Sequence, residues 1–219
     1  MKYPNVSKGI KKIYAAEIIS IFATITAIGA GIMSAVIYVG EQKNGSLDGL
    51  EIEALAATIL IAAAAVLYVV GFILNLVGII KASKDEASFK NAFMFTILGI
   101  VASVLSVVLA SIDVAASFTD IFIDLAGLFV TIFVIQGIVR ISESLHREDM
   151  VKKGRKILTA TVIGYCIGTG LSLFSSVFTT TGITGSIAAI LSVCASLFTL
   201  VVYLIYLSYL GRTRVMLDK

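Results

Sequence analysis

The stretch KILTATVIGYCIGTGLSLFSSVFTTTGITGSIAAILSVCASLFTLVVYLIYLSYLGR runs from Lys156 to Arg212, and the 55 residues between those two charges carry none. A helix rises 1.5 Å per residue, so about 20 apolar residues cross a hydrocarbon core of ~30 Å. The stretch is too long for one crossing and long enough for two. The segment TTTGITGS at 179–186, polar and glycine-containing, is the natural turn. Two crossings are therefore predicted at 157–178 and 187–210.

Working outward, residues 18–40, 54–80, 91–112 and 125–139 are also free of charge, each suited to a single crossing. The predicted spans there are 13–39, 54–80, 91–112 and 121–139, which makes six in all. Lipid offers no partner to an open backbone, and the apolar residues run continuously instead of alternating, so helices are expected and a barrel is not. The composition agrees. Of the 219 residues, 58% are hydrophobic and only 14% charged, against about 25% charged in a soluble domain. The single proline, Pro4, precedes every span, so no crossing carries a proline kink. No cleavable signal is expected, because the first apolar run is too long and lacks a clear cleavage site.

Charge orients the spans. Sixteen of the 17 lysines and arginines fall at the two ends or in the second and fourth connections, and only Lys43 falls on the other side. The positive-inside rule then places both termini in the cytoplasm of a cell with the chain in its plasma membrane. The opposite face is acidic, with Glu41, Asp48, Glu51, Glu53, Asp113, Asp120 and Asp124. Anionic lipid on the cytoplasmic side is the expected neighbour of the basic face. Nucleic acid is not, because the cations are dispersed at helix ends and no aromatic-rich platform accompanies them.

The entrance to the fifth span, VKKGRKILTATVIG from Val151, matches VSKGIKKIYAAEII from Val6 at six of fourteen positions. The junctions GIIKASKDEASFK and GIVRISESLHREDMVKK are also alike. The chain reads as three tandem two-helix hairpins, 6–83, 84–143 and 144–216, within one membrane domain. Shared ancestry and convergence on the same boundary residues both account for the match. Three two-helix units resemble the organisation of mitochondrial carriers, but that family's Pro-x-acid-x-x-base signature is missing from every span, which excludes it.

Candidate functional groups are few. Glu17 lies inside the first span, where an ionisable side chain marks an ion, proton or amine site unless it snorkels to the interface. Asn75 and Gln136, near the same ends of the second and fourth spans, could join it in a polar cluster. Asp113, Asp120 and Asp124 could gather a cation outside, although Ser117-x-x-Asp120 and Asp48-x-x-Glu51 also read as capping boxes. Gly164, Gly168 and Gly170 form a small-residue stripe that permits close helix packing. Cys166 and Cys194, at different depths, are expected to be free, buried thiols.

His146 is the only histidine, and no P-loop, dinucleotide fingerprint or catalytic constellation occurs. No metal, cofactor or enzymatic activity is expected. Two functions remain. One is a non-enzymatic membrane-embedded subunit or scaffold that docks a protein partner, with the cytoplasmic loop 140–156 as its largest handle. The alternative is a transporter or channel for a small solute or ion, centred on Glu17.

Overall fold

A computed structural model describes residues 2–44, 51–109, 113–180 and 185–218, with side-chain surroundings for all of these except 41–44, 51, 113–120, 171–180 and 185–197. Six helices follow in order: α1 (Pro4–Asn44), α2 (Glu51–Ala82), α3 (Ala87–Leu109), α4 (Asp113–Ser144), α5 (Glu148–Thr180) and α6 (Gly185–Leu217). No strand occurs among the described residues. Five of the helices, all but α5, are long and apolar enough within the described residues to cross a membrane. The apolar half of α5 runs on past residue 170, where side-chain surroundings are not described.

The helices outrun the charge-free stretches. The 41 residues of α1 span about 61 Å at 1.5 Å per residue, twice a hydrocarbon core. The expected spans were shorter because charge ends an apolar run without ending a helix, lysine, arginine and glutamate being good helix formers. Two expectations change accordingly. Ser117 cannot cap the fourth span, because α4 already begins at Asp113. The segment 140–156 is no open loop: α4 continues to Ser144 and α5 starts at Glu148.

That connection is a three-residue turn. His146 takes a left-handed φ of 53°, while the amides of Leu145, His146 and Arg147 donate to the carbonyls of Ile141, Glu143 and Ser142, satisfying carbonyls at the end of α4. Glu148 and Asp149 open α5, where acidic groups suit the helix dipole, and Lys152 pairs with Glu148 one turn on. Asp48 and residues 181–184, half of the expected TTTGITGS turn, lie outside the described residues.

The chain divides into two compact units, 11–78 and 1–10 with 79–219. In the first, α1 and α2 run antiparallel. Thr24 bonds the Tyr68 hydroxyl at 3.1 Å. A Cβ added at Gly71 would sit 3.4 Å from the Ala16 carbonyl, and one at Gly29 would sit 3.8 Å from Leu60. Buried small residues recur every seven positions: Ala16, Ala23 and Ala30 on α1, and Ala57, Ala64, Gly71 and Gly78 on α2. The register set by Ala16 and Gly71 places Ala23 beside Ala64 and Ala30 beside Ala57. A seven-residue period keeps one seam in contact through a left-handed supercoil, and its small residues let the two backbones approach closely. Larger side chains such as Phe22, Ile25, Ile59 and Val66 point outward.

The second unit packs differently. Its fully buried side chains are large, with Phe89, Ile138, Ile141, Tyr209 and Leu210 joined by Val6 and Ile10 from the start of α1. All of these lie at the basic ends of their helices. Farther along, Phe95 stacks on Phe129 and Phe133 with centroids 4.6 and 5.5 Å apart, so α3 and α4 are antiparallel neighbours. Two glycines accommodate the large groups. A Cβ at Gly137 would come within 2.6 Å of the Phe89 ring, and one at Gly154 would collide with the Tyr209 hydroxyl and Val139. The α5 entrance motif that resembles the start of α1 therefore has its glycine at a helix crossing.

Candidate functional site

Glu17 and Asn75 meet. Thirteen residues into α1 and seven before the end of α2, both half-buried, they are joined by a long hydrogen bond, Asn75 Nδ2 donating to Glu17 Oε1 at 3.4 Å. The amide oxygen of Asn75 is buried and has no hydrogen-bond partner, an arrangement that usually costs about 1–3 kcal/mol. The pair lies in the small-residue seam: Gly71, one turn from Asn75, faces Ser20, one turn from Glu17. Together they offer a carboxylate and an amide carbonyl at one depth, a chemistry suited to a proton, a monovalent cation or a primary amine. Gln136 stands half-buried on α4 in the other unit.

Of the three acidic residues Asp113, Asp120 and Asp124, Asp124 is exposed; the side chains of Asp113 and Asp120 lie outside the described residues. Along the glycine stripe, Gly164 lies closest to a neighbour, a Cβ there falling 3.2 Å from the Phe198 ring of α6. At Gly168 the nearest group would be the Thr199 hydroxyl at 3.8 Å, and at Gly170 nothing lies within 4 Å. Cys166 is free but exposed, contrary to the expectation of burial: mid-span depth is not burial within the protein, since a helix face turned away from its neighbours is open to lipid. The Cys194 side chain lies outside the described residues. Among the described residues, no group of three histidine, cysteine or acidic side chains could hold a metal.

Hydroxyl groups in the spans mostly look inward to their own helix. Thr24, Thr26, Ser34, Thr58, Thr96, Ser103 and Thr131 each donate to the carbonyl four residues earlier, at 2.8–3.1 Å. A hydroxyl satisfied this way needs no partner on a neighbouring helix, although Thr24 also bonds Tyr68 of α2.

Among the described residues, a group of long-range polar contacts gathers at the basic end, around Asp85 in the α2–α3 turn. Its carboxylate accepts from the amides of Asn5 and Val6 at 2.8 and 3.1 Å and from Asn5 Nδ2 at 2.7 Å. It supplies the cap that α1 lacks from its own sequence. Ser7 Oγ donates to Asp218 Oδ1 at 3.2 Å, and Lys2 Nζ to the Ser144 carbonyl at 3.4 Å. Arg140 pairs with Glu86 at 3.5 Å. One short segment, 2–10, is therefore fastened to the α2–α3 turn, the end of α4 and the end of α6. Sequence reading missed this clasp. The available signal was a helix opening at Pro4 with no acidic residue in its first turn.

Compared with protein-family models, curated proteins and solved structures, the chain matches none.

Proposed function

We propose that this protein is a non-enzymatic, membrane-embedded subunit or scaffold of the plasma membrane. In this reading six crossings form three tandem hairpins, both termini lie in the cytoplasm beside anionic lipid, and a protein partner docks on the basic face. The observation that carries it is where polarity is spent. Hydroxyls in the spans bond to their own helices, while contacts between distant segments concentrate at the basic end. Among the described residues, this pattern supports a structured basic face as the place where a partner docks. The hydrogen bond between Ser7 and Asp218 supports an even number of crossings, since it holds two segments six helices apart on one side.

The helical 148–156 segment, anchored by buried Met150, presents a fixed array of charges to a partner. Native mass spectrometry of the protein gently extracted from its own membrane tests the reading. A stoichiometric protein partner is expected; a lone chain that retains a small solute would sink it. The second reading, transport centred on Glu17, draws on the unpartnered Asn75 oxygen beside that carboxylate. If the protein moves a cation, Glu17→Gln abolishes coupled uptake into vesicles, and undiminished uptake removes Glu17 from that role.

A further inference from the structure

Between α5 and α6, at the level where the charge-free stretch begins and ends, lies an open groove of about 490 Å³. One end is basic, lined by Lys153 and Lys156 of α5 and Arg212 of α6. The other is an apolar wall of Ile157, Val201, Leu204 and Ile205. Tyr209 closes the floor, its hydroxyl donating to the Met150 carbonyl at 3.3 Å, and Gly154 lets α5 pass over that ring.

The cations sort into two sets. Lys152 pairs with Glu148 and Arg155 with Glu143, the latter at 2.8 Å. Lys153, Lys156 and Arg212 line the groove and pair with no carboxylate among the described residues. Lys153 and Lys156 are three apart and share a helix face; Arg212 reaches the same groove from the neighbouring helix. Three uncompensated cations above an apolar trough match an anionic headgroup attached to a hydrocarbon chain. They do not match a soluble anion, which has no use for the trough, or a neutral lipid, which has no use for the charges.

We propose that this groove seats one anionic phospholipid, its phosphate among Lys153, Lys156 and Arg212 and an acyl chain along Leu204 and Ile205. Basic pockets between helices on the charged side of a membrane protein recognise headgroups in this way. The site rests on the chain's lying in a bilayer, but not on its docking a protein partner. Loss of a partner would leave lipid retention unchanged, so the two ideas fail separately.

The test uses the full chain purified in a mild non-ionic detergent, with native mass spectrometry reading retained lipid. Phosphatidylglycerol should be retained as a single copy, in preference to phosphatidylcholine of the same chains by roughly tenfold or more. The double variant Lys156→Gln, Arg212→Gln should lose that preference, while Lys152→Gln, Arg155→Gln, outside the groove, should keep it. Equal retention of both lipids, or equal loss in both variants, overturns the site. Displacement by millimolar inorganic phosphate overturns it too, because a free-anion site would then suffice. Should the groove variant fail to fold, wild-type protein carrying phosphatidylglycerol with a photoreactive acyl chain decides the matter. Crosslinks should fall at 201–205, and crosslinks confined elsewhere sink the proposal.

Discussion

The two compact units bury apolar surface in opposite ways. In 11–78 the contact is a seam of alanine and glycine repeating every seven residues, with the large side chains turned outward. In the other unit the contact at the basic end is made of Phe89, Tyr209 and isoleucines, with glycines only where a ring must pass. The first gains from backbone proximity, the second from side-chain volume. A seam of small residues should fail by addition, and a core of large ones by deletion.

The largest effect should come from deletion in the core. Phe89→Ala removes a fully buried ring that covers Gly137, and about 3–5 kcal/mol of stability should go with it. Thermal unfolding in detergent reads this, and the same change at exposed Phe22 should be close to silent. Addition in the seam is next. Ala64→Leu should cost about 1–3 kcal/mol through overpacking, whereas Ala63→Leu, on an exposed face, should cost almost nothing; equal effects would dissolve the distinction between the units.

Gly154→Ala sharpens the comparison from the other side. Its new Cβ would meet Tyr209 and Val139, so a small-to-large change should also hurt the large-residue core, by about 1–3 kcal/mol. Gly170→Ala, in open space, supplies the control. Asp85→Ala should cost about 1–2 kcal/mol, as loss of a helix cap does. Hydrogen exchange should quicken at Asn5 and Val6 before anywhere else. The smallest effect expected is a gain: His146→Gly relieves a left-handed φ of 53° and should stabilise the turn by about 1 kcal/mol or less.

Much of the helical architecture could be read from charge. The gaps between charged residues located the helices, and the five membrane-long helices found follow the runs at 18–40, 54–80, 91–112, 125–139 and the second half of the long stretch. The helix ends could not be read so well, because Lys8 or Arg140 interrupts hydropathy without interrupting backbone hydrogen bonds. The seam was hidden for a different reason. In a chain this rich in small apolar residues, Ala16, Ala23 and Ala30 stand out only once their burial is known. Glu17, Asn75 and Gln136 could be grouped by depth from the sequence alone; the antiparallel register of α1 and α2 brings the first two into contact, while Gln136 belongs to the other unit. The groove cations needed more still. Lys152, Lys153, Arg155 and Lys156 look equivalent in one dimension, and ion pairing to Glu148 and Glu143 separates them.

The clasp around residues 2–10 also bears on how the chain is made. The amides of Asn5 and Val6 emerge from the ribosome before their partners: Asp85 follows Asn5 by 80 residues, and Asp218 follows Ser7 by 211. At about 5–20 residues per second, synthesis of that intervening length takes roughly 10–40 s. The first amides of α1 lack their capping carboxylate only until Asp85 has been made, well before Asp218. The Ser7–Asp218 bond can close only after α6 has been made. A chain arrested before residue 218 would be left with that latch open.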